Sequence, residues 1–297
     1  MSRRITSLQP VAHNAVASGG GITGMLPAAA VTADCALAGG STTGEVPAGA
    51  IKADGKLYGG STVGMAPGGL AFPDVAGSAL VLLADHLVKT GNDVTSWTDL
   101  SGNARHFSAA GGKEPTYQAT GGPNSQPAVY FNAGEVMSLA GDAFGALTEA
   151  DIFAVWKFDV GGAGLLSSNC PMWFSPEAGG QELWTFTDNQ IYAGPGSTVR
   201  RVWGNPALDL TTWHVMRATS TATEYSGYVG AEALYTTAVN VVDFQSTCFL
   251  GGYDATPQAY MGGHICYFLM LDHKATAGEL AVIKANIASK YGAIAGT

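Results

Sequence analysis

The tripeptide Glu149-Ala-Asp151 is the nearest thing in this sequence to a glycosidase carboxylate pair. Alternate side chains of a strand share one face, and glycoside hydrolysis needs two carboxyls about 5–9.5 Å apart. The next positions on that face are Phe153 and Val155, and a third carboxylate is missing. The pair therefore reads as a solvated strand start, and catalysis is not expected. His264 and Cys266 would also share a strand face, but two residues do not make a zinc site. The sequence holds neither HExxH nor GxSxG, the spacings of a metalloprotease and of a serine hydrolase.

Aromatic side chains offer a different chemistry, because the C–H faces of a sugar ring stack on a π surface. Trp184, Tyr192 and Trp203 lie in the Gly- and Pro-rich stretch 171–206, and Tyr253 and Tyr260 flank the loop 254–258. With Asn205 and Asp254 as hydrogen-bonding neighbours they form the candidate carbohydrate-binding set; Asp188 and Asn189 lie close by in sequence. The competing reading is that these rings pack loops or neighbouring subunits. Trp97 and Trp213 fall in strand blocks and are expected in the core. Asp93, Asp99 and Asn103 are weak oxygen ligands for calcium, as are Asp188 and Asp254, but no EF-hand pattern is present. No other cofactor is expected.

Composition narrows the classes. Only 12% of the 297 residues are charged, against roughly 25% in ordinary domains, which suggests a surface partly covered in an assembly. Residues 1–72 hold four basic and three acidic side chains, +1, leaving 10 basic and 20 acidic, −10, for the rest. An acidic domain repels phosphate backbones, so no nucleic-acid partner is expected. No apolar run is long enough to span a bilayer, and the N-terminus lacks the apolar stretch of a secretory signal. Cys35, Cys170, Cys248 and Cys266 show no CxxC spacing. Unpaired thiols are expected, with a Cys248–Cys266 bridge across adjacent strands as the lesser possibility.

A strict 20-residue repeat organises the beginning of the chain: Gly24, Gly44 and Gly64 align, as do Pro27, Pro47 and Pro67, and Asp34, Asp54 and Asp74. Its short apolar runs, broken by Gly and Pro, read as short strands. The repeats bury surface either by stacking along one chain or by packing about an axis between chains. The second is favoured, as a homotrimeric collar in which the six Gly and Pro positions serve oligomerisation and attachment. A flexible linker is the alternative, although a linker needs no register. "GGSTTGE" is not a phosphate loop, since Glu45 stands where a lysine belongs. The expected divisions are an arm (1–18), repeats (19–72) and a second domain (73–297).

That second domain reads as strands separated by Gly-rich turns, the pattern of an all-β sandwich or jelly roll. Expected strands cover 79–84, 128–131, 152–158, 165–167, 213–219, 224–228, 248–250 and 265–271. One helix follows Thr276, which forms a capping box with Glu279. Leu280, Ile283, Ile287 and Tyr291 make its apolar face, and Gly292 can end it.

The block "GNDVTSWTDLSGNARHF", then "PTYQ" and "GPNSQPAVYFNAGEVMSL", and the closing "YMGGHICYFLMLDHKATAGELAVIKANIASKYG" carry a resemblance. Across about residues 76–293 the chain resembles concanavalin A-like, laminin G-like jelly-roll domains. The resemblance implies two antiparallel sheets, one concave, whose face or rim loops in many relatives bind carbohydrate, sometimes with calcium. An adhesive-type domain without a secretory signal, joined to a registered and charge-poor repeat, suggests a bacteriophage virion appendage. The expectation is thus a non-enzymatic, trimeric virion protein. Its repeats would attach to a capsid or tail protein, and its jelly roll would bind a bacterial surface glycan. A purely structural capsid decoration is the alternative, and a glycan depolymerase the least favoured.

Overall fold

The computed structural model describes residues 75–297 apart from 133, 140, 142, 160–168, 174–181, 186–187, 189, 245–246 and 253–260; before 75 it describes only six short strands. Two compact units divide the chain, Met1–Pro73 and Asp74–Thr297.

In the first unit the strands are β1 (Val16–Gly19), β2 (Ile22–Thr23), β3 (Ala36–Gly39), β4 (Thr42–Thr43), β5 (Lys56–Gly59) and β6 (Thr62–Val63). β1, β3 and β5 pair in parallel with Val16, Ala36 and Lys56 in register, and β2, β4 and β6 do the same. The 20-residue period is therefore one step of a stack within a single chain. β1 also begins before residue 19, so the first rung reaches into the expected arm. Gly24, Pro27, Gly44, Pro47, Gly64 and Pro67 lie outside the described residues.

The second unit is all-β with one C-terminal helix. Its strands are β7 (Ser78–Thr90), β8 (Asp93–Asp99), β9 (Phe107–Ala109), β10 (Thr116–Gln118), β11 (Ala128–Phe131), β12 (Met137–Leu139), β13 (Ala150–Phe158) and β14 (Asn169–Trp173). There follow β15 (Glu182–Thr185), β16 (Ile191–Ala193), β17 (Arg201–Gly204), β18 (His214–Thr221), β19 (Glu224–Val229), β20 (Glu232–Thr237), β21 (Cys248–Leu250), β22 (Gly263–Leu271) and the helix α1 (Ala277–Tyr291). The expected strand at 165–167 lies outside the described residues.

Pairing of β7 with β8, β8 with β10, β10 with β11, β11 with β22 and β22 with β7 closes a hydrogen-bonded ring. Two arms leave it. From β8 runs the order β9-β12-β21-β14-β15-β16-β17, and from β22 runs β13-β18-β19-β20. The arms meet face to face where the Trp203 indole of β17 lies on Gly227 of β19, so that a Cβ at Gly227 would collide with the ring.

β13 is covered on both sides, and all its residues but Lys157 are buried. A strand buried on both faces reads as a continuous apolar run, and "IFAVW" within β13 is one. One face carries Phe153 and Val155 and packs under α1. The other carries Ile152, Ala154 and Trp156, with Ile152 in register with Ala218 and, on β19, Gly227. The helix begins as the sequence dictates: Thr276 Oγ1 accepts from the Glu279 N–H while the Glu279 carboxylate accepts from the Thr276 N–H. It ends at Gly292, whose φ of 76° a side chain would strain. Ile283, Ile287 and Tyr291 are buried, and the Tyr291 hydroxyl donates to the Cys266 carbonyl at 2.9 Å.

Several expectations need correction here. Asp99 is no calcium ligand: it is buried and accepts from the N–H groups of Val81, Ser101 and Arg105 and from the Ser101 hydroxyl. Asn103 donates to the Ser78 and Ala79 carbonyls. Asp93 is exposed at the start of β8. Among the described residues no three His, Cys, Asp or Glu side chains gather as a metal site. Cys248 and Cys266 are buried on strands that do not pair, and no disulfide joins them.

Candidate functional site

Of the expected aromatic set, the described residues place one member in the core. Trp203 is 3% exposed and fills the space between the arms, so it is a core residue. Trp184 pairs with Tyr192 across β15 and β16. The Tyr192 hydroxyl donates to Asp188 at 2.8 Å, with the Arg200 guanidinium 5.7 Å from its ring. Asn205 is exposed just after β17. Tyr253, Asp254 and Tyr260 lie outside the described residues. The carboxylate pair is unavailable. Asp151 is fully buried and takes a bidentate Arg217 fork at 2.8 and 2.6 Å, the Thr219 hydroxyl at 3.1 Å and the Ala275 N–H at 3.1 Å.

A different cluster assembles among the described residues. Across β11, β22 and β13, Tyr130 stands opposite His264 and His264 opposite Lys157. Trp213, just before β18, continues the row: the Lys157 ammonium lies 5.7 Å from its ring, and the His264 and Trp213 rings are 6.0 Å apart, edge to face. Tyr130 and His264 are 4.8 Å apart at 38°. His264 Nε2 lies 3.1 Å from Gln118 Oε1 and Nδ1 lies 3.2 Å from Asp159 Oδ1 without hydrogen-bond geometry, and a neutral imidazole has one N–H to give.

The row owes its existence to a bulge. Between Val155 and Trp156 the pairing with β22 slips by one, so Val155 faces Tyr267 but Trp156 faces Ile265. A one-residue slip turns every later side chain over. His264 thereby joins the face of Lys157 and Val155, and not the face of Cys266 as simple alternation predicts. Lys157, Tyr130 and Trp213 keep partial exposure, whereas Phe153 and Val155 on the same face are buried under the helix. Trp213 is thus not the core residue expected.

The electrostatics favour neutral rings. Burial pushes the His264 pKa down, reinforced by Lys157 and opposed by Asp159. Burial raises the Tyr130 hydroxyl, with Asp159 and Glu135 adding to it, so the phenol stays protonated and donates. Burial also lifts the Glu135 carboxyl, against the pull of the Asn132 N–H and with help from Asp93 and Glu114. The result is a shelf of aromatic faces alternating with hydrogen-bond donors and acceptors.

No protein-family model matches the sequence, and no curated protein sequence does. Solved structures share the fold. A Trypanosoma rangeli sialidase mutant displaying trans-sialidase activity superposes with a TM-score of 0.53 at 13% identity, over 76% of this chain and 35% of that one. The same organism's sialidase in complex with the inhibitor DANA superposes at 0.50 with 15% identity, over 71% of this chain and 33% of that one. The chain thus spans about a third of the length of these sialidases. These neighbours correct the expectation of a non-enzymatic virion adhesin, because they place the fold in the company of glycoside hydrolases.

Proposed function

We propose that residues 74–297 are a glycan-recognising domain of a carbohydrate-active enzyme, built as a jelly roll of the concanavalin A-like kind. The observation that carries this reading is the row Tyr130–His264–Lys157–Trp213 with Gln118 and Asp159 at its side. A pyranose offers apolar C–H faces and a rim of hydroxyls. Trp213 and Tyr130 suit the first, and Lys157, Gln118 and Asp159 suit the second. A few placed polar groups among aromatic walls are the usual make-up of a small-molecule site. The sialidase likeness adds support at the level of fold alone.

The test is retention of the full chain on a panel of immobilised neutral and acidic glycans. At least one should bind saturably, and Trp213→Ala should weaken it about tenfold, the loss expected for one stacking contact. Wild-type-like binding by Trp213→Ala, or no binding to any glycan by the folded chain, would sink the reading. The same panel should be assayed for new reducing ends. If hydrolysis is seen, Glu135 and Asp159, which both act on Tyr130, are the carboxylates to replace by amides.

A further inference from the structure

A second place on the same face has the features of a ligand site and is separate from the row above. A cavity of about 190 Å³ lies between α1 and the sheet, lined among others by Phe153, Val215, Arg217, Tyr228, Leu280 and Lys284. Phe153, Arg217 and Tyr228 face one another across β13, β18 and β19. The guanidinium carbon of Arg217 sits 5.5 Å from the Phe153 ring and 5.3 Å from the Tyr228 ring. Leu280, Lys284 and Ile287 approach from the helix at i, i+4 and i+7, one side of the helix. An ammonium in that stripe interrupts what would otherwise be an apolar contact.

The cavity holds one cation, Lys284, without a matching carboxylate among the described residues, because Asp151 already neutralises Arg217. Its lining includes two cations and no carboxylate. Arg217 donates Nε and Nη2 to Asp151, which leaves Nη1 with no hydrogen-bond acceptor among the described residues. Lys284 has no ion pair among the described residues, although this part of the chain carries −10 overall. Arg217, Tyr228 and Lys284 all keep partial exposure, so the cavity reaches solvent. A cavity of about 150 Å³ holds benzene, so this one has room for a ring and one carboxylate. It is smaller than the roughly 300–1,000 Å³ of drug-sized sites.

We propose that this cavity binds a small organic carboxylate with an apolar ring. The carboxylate would accept from Arg217 Nη1 and Lys284 Nζ, and the ring would lie between Phe153, Tyr228 and Leu280. Asp151 fixes the guanidinium so that only its remaining edge is offered.

The probes are benzoate and its neutral counterpart benzyl alcohol, titrated into the full chain and followed by amide chemical shifts and thermal unfolding. Benzoate should saturate, raise the midpoint and move resonances of β13, β18 and α1, with benzyl alcohol weaker by about tenfold, the worth of a charge-assisted hydrogen bond. Lys284→Met should lose about the same factor for benzoate and change nothing for benzyl alcohol, while Lys284→Arg should retain binding. Equal affinity for the two probes, or benzoate binding that survives Lys284→Met unchanged, would overturn the proposal. So would an absence of binding at millimolar benzoate. Glycan retention through Trp213 is read independently, so failure here leaves that reading standing.

Discussion

Two rows of side chains cross the same face of the second unit. Phe153–Arg217–Tyr228 lies under α1, and Tyr130–His264–Lys157–Trp213 lies where the face is more open. Each sets a cation among aromatic rings. In the covered row the cation has a dedicated counter-ion, the buried Asp151, held by Arg217, Thr219 and Ala275. In the open row no carboxylate among the described residues grips Lys157 in that way, and Asp159 addresses His264 and Tyr130 instead. The difference follows from desolvation. A charge taken out of water needs a fixed partner, whereas a partly hydrated one can leave its hydrogen bonds for a ligand. The covered row is thus held rigid by its own ion pair, which leaves only the remaining edge of Arg217 to a ligand, whereas the open row offers Lys157 itself.

The sharpest way to break the contrast is Asp151→Ala. It leaves Arg217 partly buried without its partner and should cost about 3–5 kcal/mol, read by urea unfolding. If the loss is under about 1 kcal/mol, the pair is no framework element.

Next comes acid. His214, on the opposite face of β18, packs edge to face on Trp156 with centroids 4.4 Å apart, and burial lowers its pKa from 6.5 to about 4. The unfolded chain therefore binds a proton that the folded chain refuses. The stability contribution is complete above pH 6.5 and is lost as pH falls towards 4. It amounts to about 3 kcal/mol at 1.36 kcal/mol per pKa unit. His214→Gln should flatten the unfolding free energy over that window, and an unchanged slope would refute the assignment.

Smaller still, His264→Ala should cost about 1–2 kcal/mol, because it removes contacts to Gln118, Tyr130 and Asp159. Trp213→Ala should change stability least, by under about 1 kcal/mol, since the ring stays partly in water. A large stability loss from Trp213→Ala would move it into the framework and erase the distinction.

Much of the framework was legible from residues close in sequence. The apolar runs of β13 and β22 match their burial on both faces, and Thr276 and Glu279 cap α1 as their spacing requires. The open row was not legible. Tyr130, Lys157, Trp213 and His264 come from four separate stretches, and only strand order brings them together. Alternation also fails at Cys266, where the bulge turns His264 to the other face. Trp203 misled for a related reason: a Gly-rich neighbourhood suggested a loop, but Gly227 is the flat seat for its ring.

The closed ring of β7, β8, β10, β11 and β22 has a bearing on self-association. An open sheet exposes two ladders of unpaired amides to any neighbouring molecule, and proteins usually guard them with charge. This chain has little charge to use, at 12% of its residues. Closure leaves β17 and β20 as the ends of the strand order. Those ends fold back towards each other: Arg201 donates to the Val239 carbonyl at 3.1 Å, and the Thr198 N–H donates to Val241 at 3.1 Å. Within the second unit topology thus does the guarding that lysines do elsewhere, whereas the two three-stranded sheets of the first unit end on β1 and β5 and on β2 and β6.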